Sequence, residues 1–374
     1  MKRILALLMV LVLVMGAFSG CGGTTKEAEE EDDVLTVGFI YVGPASDGGF
    51  SEAQDNGRIA LKDHFKGKVK TLKVESVAEE SQAVKSAAIN LMDQGASVIV
   101  ATSFGFMNPI DELAKEYPDV KFLHFSGNKM NDTNFGNYFG AMEQPRYLSG
   151  IIAGMTTKSN KLGYVAAYPY TELIIGINAF TLGAQSVNPD VEVKVIYTNS
   201  WHDPAQEKEA AEALLDQGYD VIAQHCDTAG PQIAAEAAGA YAIGYNMDSS
   251  SAAPGAYLTA PVWNHGAYYI DQIQKIMDGT WTPGAYYGTM ADGYVQLAPL
   301  TDNVSAEAKA KVKEVQAKIE SGEFNVFSAG DKDVLYNDGS VMIPAGTSLD
   351  RDSIWGISNP DTAMTKLVKG ATGQ

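Results

Sequence analysis

The side chains able to do chemistry sit in a few short stretches. A glycine-rich run from Gly43 carries Asp47, Phe50 and Ser51. Ser103-Phe104, Tyr168, Trp201-His202-Asp203, His225-Cys226-Asp227, Asp248 and Trp263-Asn264 follow along the chain. One chemistry they could serve is hydrolysis, with Asp203 and Asp227 as paired carboxylates and His202 and His225 as acid–base or metal groups. Their spacing matches no metal-ligand set. Asp203-Pro204 is instead the signature of a helix start, with Asp as the cap and Pro at the first helical position. The chain also lacks a Gly-x-Ser-x-Gly elbow and a His-Glu-x-x-His pair. No catalytic residue, metal or cofactor is expected.

The other chemistry is binding. The glycine-rich run lacks a Gly-Lys-Ser/Thr ending and a GxGxxG pattern, so a phosphate cradle has little support. Aromatic rings beside short polar side chains suit a planar, hydrogen-bonding ligand held in a cleft. The candidates are Asp47, Phe50, Ser51, Ser103, Phe104, Tyr168, Trp201, His225, Asp248, Trp263 and Asn264. Several have plainer readings: Phe50 as a staple at a helix start, Phe104 and Tyr168 as lobe core, Trp263 as hinge packing. His225 either meets the ligand through one hydrogen bond or caps a strand end. A simple sugar would also stack on Trp and Phe, but it calls for several Asp, Asn and Arg side chains, and the first half offers no Arg at a strand end.

Two copies of one unit position these residues. Val195 to Asp227 reads as strand, aromatic-bearing loop, amphipathic helix and buried strand, a βαβ unit. Leu91-Met92-Asp93-Gln94-Gly95 recurs as Leu214-Leu215-Asp216-Gln217-Gly218, and Val98-Ile99 as Val221-Ile222. The copies are too far apart for a solenoid, whose period is roughly 20–50 residues. They predict an α/β protein of two Rossmann-like lobes around a central cleft, with ligand bound beyond the carboxyl ends of the strands. The first lobe is expected over 34–142 plus about 263–290, and the second over 143–262 plus about 291–374. Helices are predicted over 55–64, 79–93, 108–117, 171–186, 231–238, 267–277 and 306–319. A glycine- and alanine-rich helix is predicted over 145–155, where the chain crosses between lobes.

Composition narrows the partners. The 374 residues carry 27 Lys+Arg against 46 Asp+Glu, a net charge of −19. That excludes nucleic acid as a natural partner, since phosphate binding is driven by cations. Met1-Lys2-Arg3 and the apolar run to Ala17 form a signal peptide over 1–20, too short for a membrane span. Phe18-Ser19-Gly20-Cys21 resembles a lipobox, so Cys21 is expected to carry lipid, with 21–33 as an acidic tether. The only other cysteine, Cys226, then has no disulfide partner and reads as a small packed residue.

The lipobox, the Asp47-Gly-Gly-Phe50 turn after the first strand, the Trp201 loop and Ile243-Gly-Tyr-Asn-Met-Asp248 together resemble the basic membrane protein family over nearly all of 34–360. That resemblance implies a type I periplasmic-binding fold and a lipid-anchored, substrate-binding subunit of an ABC importer, related to purine nucleoside receptor A. It implies a purine stacked between Phe50 and Trp201, ribose contacts at Asp248, delivery to a permease, monomeric action and residence on the outer face of the cell membrane. The family's usual Asn is Ser51 here, its usual Asp falls at Phe125-Ser126-Gly127, and its usual Lys falls at Trp263-Asn264. These departures resemble the branch that takes a free base such as adenine. A base is therefore expected ahead of a nucleoside or a simple sugar.

Overall fold

The computed structural model describes residues 34–373; the apolar leader, Cys21 and the acidic tether lie outside them. From Val34 onwards the chain alternates strand and helix. β1 (Leu35–Ile40), α1 (Phe50–Phe65), β2 (Val69–Val74), α2 (Ser81–Asp93), β3 (Val98–Ala101), α3 (Met107–Glu116), β4 (Lys121–Phe125) and β5 (Phe135–Gly140) build the first lobe. The second follows as α4 (Glu143–Thr156), β6 (Lys161–Ala166), α5 (Thr171–Gln185), β7 (Glu192–Tyr197), α6 (Pro204–Leu215), β8 (Val221–His225), α7 (Gly230–Ala237), β9 (Tyr241–Ile243) and β10 (Tyr257–Thr259). β11 (Pro261–Trp263), α8 (His265–Met277) and β12 (Ala285–Gly288) return to the first lobe, where β12 pairs with β5 and α8 lies on α1. β13 (Val295–Leu297) then pairs antiparallel with β11, and α9 (Ala306–Glu320) packs on α4. A hairpin of β14 (Val334–Leu335) and β15 (Val341–Ile343), a short α10 (Arg351–Trp355) and β16 (Ala371–Gly373) complete the chain.

Each lobe holds one six-stranded sheet, ordered β12-β5-β4-β3-β1-β2 and β10-β9-β8-β6-β7-β16. Every pairing within the two sheets is parallel. Helices cover both faces, which is why β3, β5 and β8 are buried along their whole length; β3 reads as a continuous apolar run, while β5 and β8 carry Asn137, Gln224 and His225. The chain reverses direction beside β1 in one sheet and beside β6 in the other. Those switch points open crevices at the strands' carboxyl ends.

The repeat has a packing cause. In the first lobe Gly38 of β1 leaves room for Leu91 of α2 and Ile99 of β3, whose atoms would lie 3.0–3.1 Å from an added Cβ. In the second, Gly163 of β6 leaves the same room for Leu214 of α6 and Ile222 of β8, at 2.6–3.2 Å. Both helices stop at a glycine with positive φ, Gly95 at 94° and Gly218 at 84°. One glycine–leucine–isoleucine triangle thus seats a helix on each sheet.

Two predicted boundaries move. The helix expected from Asp55 begins at Phe50, because the Asp47 carboxylate accepts from the backbone N–H of Gly49, Ser51 and Glu52 and satisfies the orphan donors of an earlier first turn. The strand expected over 257–262 splits at Pro261 into β10, which belongs to the second sheet, and β11, which crosses towards the first lobe.

α4 and α5 cross at backbone distance. A Cβ on Gly150 would lie 2.0 Å from the Phe180 carbonyl oxygen, and one on Gly183 would lie 2.0 Å from that of Tyr147. Gly150→Val should therefore force these helices apart and cost about 1–3 kcal/mol, as overpacking does. The check is the urea midpoint; an unchanged midpoint would mean that the helices do not meet at these glycines.

Candidate ligand-binding site

The carboxyl ends of both sheets meet around one pocket with about 430 Å³ of atom-free space, part of it open to solvent. Its lining comes from seven strand ends or adjacent helices. Val42 and Phe50 follow β1, Thr102, Ser103 and Phe104 follow β3, and Phe125 and Ser126 end β4. From the second lobe come Glu172 of α5, Trp201 after β7, His225 and Asp227 at β8, and Tyr245 after β9.

Aromatic side chains give the pocket its walls. Phe50 leans on Phe125 at 5.4 Å between ring centroids. Trp201 stands opposite, propped by Tyr168 at 5.2 Å, which is itself stacked on Tyr170 at 5.0 Å. The Asp227 N–H donates to the Trp201 carbonyl at 3.0 Å and fixes the loop on which the indole sits. Phe104 is half exposed at the rim.

The polar groups differ in how free they are. The Ser103 hydroxyl donates to the Glu79 carboxylate, which also accepts from the Gly105 N–H at 2.9 Å. His225 is buried, with Nε2 3.6 Å from a Glu172 carboxylate oxygen and Nδ1 without a partner. Burial, then the nearby Arg146 guanidinium, lowers its pKa well below the usual value and keeps the ring neutral. Arg146 is fully buried behind the pocket, 3.8 Å from the centroid of the Tyr245 ring, and donates to the Gln224 carbonyl at 2.6 Å. Glu172, 19% exposed, is pushed up to about 7 by burial, which outweighs the pull of Ser126 and Arg146.

Of the eleven candidates, the structure brings Phe50, Ser103, Phe104, Trp201 and His225 together around the pocket. The others are engaged elsewhere. Asp47 caps α1 as described, and the Ser51 hydroxyl is buried, accepting from the Gly43 N–H at 3.1 Å. Asp248 is exposed and accepts from the Ser250 N–H at 3.0 Å. Trp263 is buried in the hinge, its indole N–H donating to Asn246 Oδ1 at 3.1 Å. Asn264 caps α8, accepting from the Ala267 N–H and donating to the Gly293 carbonyl at 3.1 Å. Tyr168 supports Trp201 from behind. Glu172 and Arg146 carried no local signal in the sequence, and Tyr245 stood there only as part of the Ile243–Asp248 motif; the fold brings the three together. Among the described residues no group of three or more His, Cys, Asp or Glu could hold a metal ion. None of the described helices is long and apolar enough to cross a membrane.

Residues 34–328 match the family model described as ABC transporter substrate-binding protein PnrA-like. The chain belongs to that family. This is a family of solute-binding proteins rather than enzymes. The substrate-binding protein is 40% identical over 350 residues to a purine-binding protein of Brucella abortus, covering 94% of this chain and 97% of that one. It is 35% identical over 316 residues to a putative ABC transporter glucose-binding protein of Haloferax volcanii, covering 82% and 79%. Its fold is shared with a solute-binding protein of an ABC transporter system from Aeropyrum pernix, with TM-score 0.68, 19% identity and coverage of 90% and 100%. Another from Conexibacter woesei gives TM-score 0.65, 21% identity and coverage of 78% and 98%.

The buried carboxyls of this substrate-binding protein set a pH dependence. Glu143, which accepts from the Tyr287 hydroxyl at 3.0 Å, is also pushed up to about 7 by burial. The folded state therefore holds protons on Glu143 and Glu172 that the unfolded chain releases near its ordinary value of 4.5. Their contribution is fully present below that value and is lost as pH rises through about 7. The melting midpoint should fall between pH 5 and pH 8, and Glu143→Gln should flatten part of that slope. An unaltered slope in the variant would remove Glu143 from the account.

Proposed function

We propose that the protein captures a purine base of the adenine kind between its lobes and delivers it to an ABC permease. The observation that carries this reading is the pocket lining: aromatic rings from both lobes, hydroxyls and carboxyls between them, and neither Lys nor Arg among the lining residues. A flat neutral heterocycle answers to such a lining, and stacking is worth about 1–3 kcal/mol per aromatic contact. The positions that would serve a ribose are otherwise employed, with Asp248 turned to its own loop and Trp263-Asn264 held in the hinge. The Brucella abortus relative's name points the same way; the Haloferax volcanii relative makes a sugar the rival. In this reading the chain is a monomer held by lipid on Cys21 at the outer face of the cell membrane. The lobes close on the base, and a separate ATPase supplies the energy.

The test is a melting screen after unfolding and refolding have stripped carried ligand. Adenine, hypoxanthine, guanine, adenosine, inosine, ribose and glucose form the panel, since a ligand of the folded form raises the midpoint. Bases should raise it, and Trp201→Ala should weaken adenine binding by about tenfold or more while the ligand-free midpoint stays put. A response confined to nucleosides would replace base by nucleoside. A response to sugars alone, or full affinity without the indole, would overturn the stacking model.

A further inference from the structure

Asp227 joins three features of the cleft in one residue. Its N–H holds the Trp201 carbonyl at 3.0 Å. Its own carbonyl lies against Gly49 of the opposite lobe, where an added Cβ would fall 1.9 Å from the oxygen. Its carboxyl lines the pocket, although the residue is only 6% exposed. Among the described residues that carboxyl's one side-chain hydrogen bond is a long contact from Asn246 Nδ2, at 3.4 Å.

Three other carboxyls surround this one. Asp47 faces it from the turn before α1, Glu207 from α6 and Glu172 from α5, with the buried Cys226 thiol beside it. Burial and these carboxyls push Asp227 well above the usual carboxylate range, and Asn246 alone pulls the other way. In its ionised form, which a bound N–H donor favours, the carboxyl repels a ligand oxygen and attracts that N–H.

We propose that Asp227 is the specificity residue of this cleft, accepting a hydrogen bond from the exocyclic amino group of the bound base and selecting amino purines over oxo purines. This rests on the base-binding reading above. The glycine contact ties the selection to closure. Gly49 immediately precedes Phe50 and has no side chain, so the Phe50 turn reaches the Asp227 backbone across the cleft. The residue that reads the amino edge thus also seats the indole and meets the first lobe.

The experiment is calorimetric titration of the purified native protein, Asp227→Ala, Asp227→Asn and Gly49→Ala with adenine and hypoxanthine. The native protein should prefer adenine. Asp227→Ala should reduce that preference by about tenfold, as losing a hydrogen bond to a charged or buried acceptor does. Asp227→Asn, which can donate to an oxo group, should shift the preference towards hypoxanthine; a purely structural role would not move it. Gly49→Ala should weaken both bases alike, by about tenfold or more, and leave the ratio intact. A preference that survives in both Asp227 variants overturns the assignment while leaving base binding in place. Native protein that binds neither base sinks the base-binding reading itself, and unchanged affinity in Gly49→Ala removes the closure contact.

Discussion

The two lobes approach backbone to backbone between Gly49 at the entrance of α1 and the carbonyl of Asp227 after β8. Everything acidic in the pocket gathers near that contact, so bringing the lobes together places Asp47 beside Asp227, Glu172 and Glu207. Removing carboxylates from water and moving them towards one another both cost free energy. Burial and proximity therefore favour the protonated forms of these carboxyls. A ligand that offers N–H donors and two flat faces suits such a lining.

The approach is possible because the two lobes are the same device used twice. Each sheet reverses its winding beside its first strand, and each seats its next helix over a glycine: Gly38 under Leu91 and Gly163 under Leu214. A side chain at either glycine would lift the helix and tilt the strand ends away from the cleft. Close packing here is not decoration on the fold. It sets the direction in which Ser103 and Phe104 of one lobe, and His225 and Asp227 of the other, emerge from β3 and β8.

The repeat was legible in the sequence because Leu-Met-Asp-Gln-Gly and Leu-Leu-Asp-Gln-Gly are local patterns. So was the place of Phe50 and Trp201 at the cleft mouth, on which strand topology and the family resemblance agree. Asp47, Ser51, Asp248 and Asn264 are engaged locally, because helix and turn starts expose unpaired N–H groups that short polar side chains next to them satisfy. For Trp263 the sequence left both readings open: a large ring near a chain crossing is as useful to a hinge as to a ligand, and Phe125, Phe139 and His265 surround it. Glu172, Tyr245 and Arg146 come from three separate elements, and no local pattern announces that they meet. Asp227 stood in view as half of an imagined catalytic pair and as part of the Gln224–Asp227 stretch, without a role of its own toward a ligand.

The segment after the family match adds a constraint on how the lobes move. Arg351 of α10 lies over the Tyr287 ring at 4.1 Å, and the Trp355 indole donates to the Tyr287 hydroxyl at 3.2 Å. That hydroxyl in turn donates to Glu143 at the start of α4, while Trp355 packs on Phe139 of β5 at 5.4 Å. The same segment ends in β16, which is bonded to β7 of the second sheet. One short stretch thus grips β5 and β12 of the first lobe and α4 and β7 of the second. Tyr287 thereby joins β12 of the first lobe to α4 of the second and to the C-terminal segment.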